Sequence, residues 1–252
     1  MRQEKSMKRK TARTVTLISL TLGIVWIALL IILLGAAWRA HAQNAKTPYP
    51  SMAPLEQYLI ADRNDEIALA RSAAPESISR DAEVMVLGRH GYETAVQGKK
   101  GFVCIVERSW TAGIDDPDFW NPKVRGAICF NPAGARSQIP LTLKKTELVL
   151  AGQSASQMAE GVKAAFDRKE LATPEPGAMC YMLSKQAYLS DRDGHWHPHL
   201  MFFVPQTDTA TWGANLPGSP ILGIADALDR LTLFLIPVGK WSDGTPAPMH
   251  EH

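Results

Sequence analysis

Three histidines alternate in the segment His195-Trp196-His197-Pro198-His199, and imidazole is the commonest protein ligand for zinc, copper, iron and nickel. On an extended backbone, residues two apart share a face and step ~6.6–6.8 Å along the strand. Two of the three rings can therefore converge on one ion. Pro198 either bends the chain enough to admit the third or marks a sheet edge. A metal site needs at least three such groups. Cys180, on the strand expected to pair with His199–Pro205, is a further candidate ligand, and His90 and Glu93 join it if the fold brings them near. The implied cofactor is a divalent transition metal. The competing reading is packing, with the histidines at a strand end and in a loop against Trp196.

A second group of reactive types is Gly88-Arg89-His90-Gly91-Tyr92-Glu93-Thr94, directly after the apolar Val84–Leu87. Arg89, His90 and Gly91 with that strand resemble the Arg-His-Gly motif of the histidine phosphatase family. The resemblance implies a hydrolase in which the histidine is phosphorylated and the arginine holds the phosphate. The family also uses a second histidine, a second arginine and an acidic proton donor, and follows its first strand with a loop and helix. Here the motif runs into β-type sequence. The alternative is a turn, bent at Gly88 and Gly91 with Arg89 and His90 exposed at its tip.

The three cysteines are Cys104, Cys129 and Cys180. Cys104 and Cys129 lie in short strand-like runs on either side of a loop rich in Trp, Asp and Pro, and a bridge between them would tie that loop down. Three reduced, buried thiols are the alternative. Within the loop, Trp110 and Trp120 with Asp115, Asp116 and Asp118 suit either a ligand surface or a fastening to the core.

These groups sit behind an export-like leader. Arg2, Lys5, Lys8, Arg9, Lys10 and Arg13 precede an uncharged apolar run from Thr14 to Trp38, and Ala40-His41-Ala42 follows. That order matches a secretory signal peptide over residues 1–42. The run also has the ~20 apolar residues that cross a bilayer. Residues 14–38 are thus either removed or kept as an inner-membrane anchor, and membrane contact is expected through this segment alone. Either way the body is carried across, to the periplasm or beyond.

The leader also accounts for the chain's apparent basicity. The chain has 27 Lys+Arg and 25 Asp+Glu. Residues 1–42 contain seven basic residues and one acidic residue, which leaves 20 basic and 24 acidic in the body, a formal charge of −4. With no basic block interleaved with aromatics, nucleic acid is not an expected partner.

Residues 43–50 read as a polar tether and 51–252 as one globular domain. A helix is predicted from Pro54 to about Ala73, stopped by Pro75. Strands are predicted at Glu83–Leu87, Tyr92–Val96, Phe102–Arg108, Ala127–Asn131, Ala178–Ser184, His199–Pro205 and Leu231–Val238. Hairpins are expected between the second and third and between the fifth and sixth. Helices are predicted at Pro140–Ala151 and Ser154–Arg168. The expected fold is α+β, with a mostly antiparallel sheet of six or seven strands and about three helices, after an N-terminal apolar export helix.

Three segments, Gly101–Arg108, Pro174–Tyr181 and Gly194–Phe203, resemble stretches of a family of exported bacterial proteins with no assigned activity. The resemblance implies one exported domain and brings no ligand or reaction with it. The sequence therefore points to an exported protein that binds a metal or small ligand through His195, His197 and His199. The alternative is an extracytoplasmic hydrolase, working through a metal or through Arg89 and His90.

Overall fold

The structure is a computed structural model and describes residues 48–192 and 197–248. The leader, most of the tether, and His195 with Trp196 lie outside the described residues. Among the described residues no helix is long and apolar enough to cross a membrane.

The fold is α+β. Eight strands form one sheet: β1 (Glu83–Gly88), β2 (Gly91–Val96), β3 (Val103–Glu107), β4 (Gly126–Phe130), β5 (Met179–Met182), β6 (His199–Pro205), β7 (Leu222–Asp226) and β8 (Leu231–Pro237). Their order across the sheet is β2-β1-β3-β4-β5-β6-β8-β7. Every pairing is antiparallel except β1 with β3. Among the described residues there are four α-helices: α1 (Arg63–Arg71), α2 (Glu76–Ser79), α3 (Pro132–Leu150) and α4 (Ala155–Asp167).

Alternation along the strands divides the sheet into two apolar faces. On the first, Val84, Val86, Cys104, Val106, Ala127 and Cys129 pack against Ala70, Ala73 and Ala74, at and just beyond the end of α1. On the second, Ile105, Ile128, Phe130, Cys180, Met182 and Phe203 pack beneath Ala133, Ala135 and Ile139 of α3. Leu141 of α3 in turn packs with Val162, Ala165 and Phe166 of α4. The first turn of α3 lies so close to β5 that a Cβ on Gly134 would come within 2.7 Å of the Met179 carbonyl oxygen. Glycine is required there.

The structure corrects the sequence reading in several places. The sheet has eight strands where about six or seven were expected, and the described residues form four α-helices where about three were expected. β2 does not pair with β3. It pairs with β1 across the Arg89-His90 turn, and the chain returns past β1 to lay β3 parallel on its other side. The segment from Pro54 breaks into a 3-10 turn at Leu55–Gln57 and then α1, which Asp62 caps by accepting the Asn64 N–H at 2.7 Å. Helix α3 begins at Pro132, capped by Asn131, and carries Pro140 in its interior, where the sequence reading had placed its start. An interior proline removes one hydrogen bond of the helix, and the two packed faces of α3 outweigh that loss.

Candidate functional site

The predicted fifth and sixth strands pair as expected, with Cys180 opposite Met201 and Met182 opposite His199. His199 and Cys180 therefore share the second face as diagonal neighbours, ~7–8 Å apart on such a ladder. His199 is buried, and its Nδ1 lies 2.8 Å from the His197 carbonyl oxygen. A ring nitrogen facing a carbonyl carries the proton, which leaves the lone pair on Nε2. Desolvation pushes the pKa of His199 down to about 4, against the bond to His197, so the ring is neutral at ordinary pH. His197 is half-buried.

Cys180 is fully buried among Ile128, Phe130 and Met182, and burial pushes its thiol well above the ordinary range. Among the described residues no group of three or more His, Cys, Asp and Glu gathers as a metal cage.

The chain leading into the histidine segment is tied down just before it. The Asp191 carboxylate accepts from Lys123 Nζ at 3.1 Å and from the hydroxyls of Tyr49 and Tyr188. Those donors, the Tyr188 hydroxyl first, hold its carboxyl far below the usual range. One cluster thus joins the start of the described body, the Trp-rich loop and the approach to His197.

Arg89 and His90 stand exposed at the tip of the β1–β2 turn. Arg89 Nη1 donates to Glu56 Oε1 at 2.6 Å, and Glu93 pairs with Arg63. Three strands, β3, β4 and β5, lie between this hairpin and β6. Arg89, His90 and Glu93 are therefore not brought to the described histidines. The Trp-rich loop is fastened inward: Trp110, Phe119 and Trp120 are buried with Tyr58, and Trp110 Nε1 donates to Thr146 Oγ1 at 3.1 Å.

Cys104 and Cys129 sit directly opposite each other on β3 and β4 and form a disulfide, with Cα atoms 4.0 Å apart. Cys180 projects from the other face and remains a buried free thiol.

Two buried charged groups escaped the sequence reading, and both start at the end of β3. Arg108, fully buried, donates from Nη2 to Glu66 Oε1 at 2.8 Å, from Nε to the Tyr58 carbonyl at 2.7 Å, and from Nη1 to the Val106 carbonyl. Glu66 Oε1 also accepts the Leu87 N–H at 3.1 Å. On the opposite face, Glu107 hydrogen-bonds with Thr111 and Thr142 and lies within the electrostatic reach of Lys145 and Asp229. Lys145 Nζ donates to Asp229 Oδ2 at 2.7 Å and to the Thr111 carbonyl at 3.2 Å. Part of the Glu107 side chain still meets solvent, yet protein packed around its carboxyl desolvates it and pushes its pKa up to about 7. The signal in the sequence was a Glu-Arg pair ending an apolar strand, where alternation sends the two charges to opposite faces.

Fold and site together define an α+β protein whose disulfide-bridged sheet carries helices on both faces and a fixed, neutral histidine at the start of β6. No protein-family model, no curated protein and no solved structure matches the chain.

Proposed function

We propose that this is an exported accessory protein that binds a divalent transition metal through the segment His195 to His199. The observation that carries the reading is the pose of His199. Its Nδ1 faces a backbone carbonyl while the ring stays neutral, which is how metal-binding imidazoles are usually held. His197 adds a half-buried imidazole two residues away, and His195 continues the spacing. The high thiol pKa of Cys180 and its apolar surroundings favour a packing role for that residue. Export is supported by the leader in the sequence and by the Cys104–Cys129 disulfide, which suits an oxidising compartment.

The test is elemental analysis and titration calorimetry on untagged protein with Zn²⁺, Cu²⁺ and Ni²⁺. One equivalent bound by the wild type, and lost in both His195→Ala and His197→Ala, is the expected result. Absence of stoichiometric metal under all three conditions removes the metal-binding reading. Export is tested separately: recovery of the intact polypeptide from the cytosolic fraction would remove it.

A further inference from the structure

The group formed by half-buried Glu107 with buried Lys145 and Asp229 is used by none of the chemistry above. Its members come from the end of β3, the middle of α3 and the turn between β7 and β8. One ammonium bonds Asp229 and lies within the field of the Glu107 carboxyl. With both carboxyls ionised, the group would hold a net negative charge where water is largely excluded, and retaining one proton removes that cost. Asp229 already accepts from Lys145 at 2.7 Å through Oδ2, while its Oδ1 is buried with no hydrogen-bond partner. The groups facing Glu107 are Thr142 and Lys145 of α3, Thr111 of the turn after β3, Asp229, Cys180 of β5 and Tyr92 of β2. Of these only Lys145 is positive, and Asp229 occupies it. Glu107 therefore keeps the proton, and its pKa near 7 puts that proton in exchange around neutrality.

We propose that Glu107, Lys145 and Asp229 form a proton-dependent latch on the turn of the β7–β8 hairpin. With Glu107 protonated, Lys145 is committed to Asp229 and holds the turn against α3. When Glu107 ionises, a second negative charge competes for the same ammonium and repels Asp229, and the turn loosens. The loosening stays local because the neighbours of Asp229 are anchored independently. Leu228 packs into the α3–α4 cluster. Arg230 pairs with Asp167 and lies 5.1 Å from the centre of the Phe166 ring.

Hydrogen exchange of the purified full chain tests this at the amides of residues 226–231, from pH 5.5 to 8.5, after correction for the intrinsic pH dependence of exchange. In the wild type, protection falls roughly tenfold as pH rises through 7, the factor that corresponds to one pKa unit of coupling. In Glu107→Gln the same amides stay protected across the range. In Asp229→Asn, which removes the repelled charge, protection does not change with pH. The second variant carries the test should the first fail to fold. Wild-type protection that is flat with pH, or a full wild-type response surviving in either variant, overturns the latch.

Discussion

Glu107 and Arg108 are consecutive, yet each is the hub of a different buried charged group, on opposite faces of the same sheet. Arg108 reaches Glu66 at 2.8 Å beneath α1, and Glu107 approaches Lys145 beneath α3. The end of β3 thus pins both helical layers to the sheet. Arg108→Met leaves Glu66 as an uncompensated buried charge, and a loss of about 3–5 kcal/mol is expected. In the double variant Glu66→Leu/Arg108→Met most of that loss returns. Denaturant titration of the three proteins measures it; a double variant no more stable than the single one would show that the pair is not the source of the loss.

The disulfide gives a sharper reading because the two faces of the sheet separate the cysteines. Cys104 and Cys129 share the α1 face and Cys180 the α3 face, so exchange of partners would require the sheet to come apart. One free thiol per chain is expected under denaturing, non-reducing conditions, and none accessible in the native protein. Reduction should cost about 3 kcal/mol, the usual scale for a bridge closing a loop of this length. Three thiols counted without reductant would contradict the pairing.

A buried histidine and a half-buried glutamate make the stability curve depend on pH in opposite senses. His199 takes a proton in the fold near pH 4 and when unfolded near 6.5, so between these values the unfolded chain holds more protons. Its contribution is therefore lost as pH falls from 6.5 to 4, by up to about 3 kcal/mol. Glu107 holds its proton to about pH 7 in the fold against 4.5 otherwise, so its contribution is lost as pH rises from 4.5 to 7. Stability measured against His199→Gln and against Glu107→Gln separates them. Relative to its variant, the wild type weakens toward acid in the first comparison and toward neutral pH in the second. Either difference running the other way would refute the assignment for that residue.

Which parts of this were legible beforehand follows from the range of the interactions involved. β3, β4 and β6 announce themselves as apolar runs of β-branched and aromatic residues, and the capping box at Ser154 and Gln157 marks the start of α4. The pairing of Cys104 with Cys129 could be read as one of two options because both sat in predicted strands. β7 could not be read. Turn residues Pro217-Gly218-Ser219-Pro220 precede it, but Leu222-Gly223-Ile224-Ala225-Asp226 has no β-branched run and a glycine in its interior, and it becomes a strand by pairing with β8. The partner of β2 was misjudged for a related reason. Gln97–Gly101 carries turn residues, but the shorter Arg89-His90 turn closes the hairpin first. The meeting of Glu107, Lys145 and Asp229 is a tertiary event spanning more than a hundred residues, and periodicity says nothing of it. His199 was singled out by its neighbours in sequence, whereas its burial and its bond to His197 needed the sheet.

The free edge of β7 is guarded by one side chain, and that makes a final prediction. Asn215 Nδ2 donates to the Gly223 carbonyl at 2.8 Å, the Gly223 N–H donates to Asn215 Oδ1 at 3.0 Å, and the Asn215 N–H donates to the Ile221 carbonyl at 3.0 Å. These bonds occupy backbone groups that an edge strand would otherwise offer to another chain. The guard matters because Leu222 and Ile224 beside it are about half exposed, an apolar pair on an edge. Asn215 sits at φ 60°, a conformation asparagine tolerates better than most residues. Asn215→Gly keeps that backbone and removes only the side-chain bonds, so the monomer should lose about 1–2 kcal/mol. The opened edge should also raise concentration-dependent self-association, seen by sedimentation velocity. Adding Ile224→Lys to the same chain places a charge on the edge and should return it to the monomer. An Asn215→Gly protein that stays monomeric at high concentration would mean that the exposed edge is blunted by something other than Asn215.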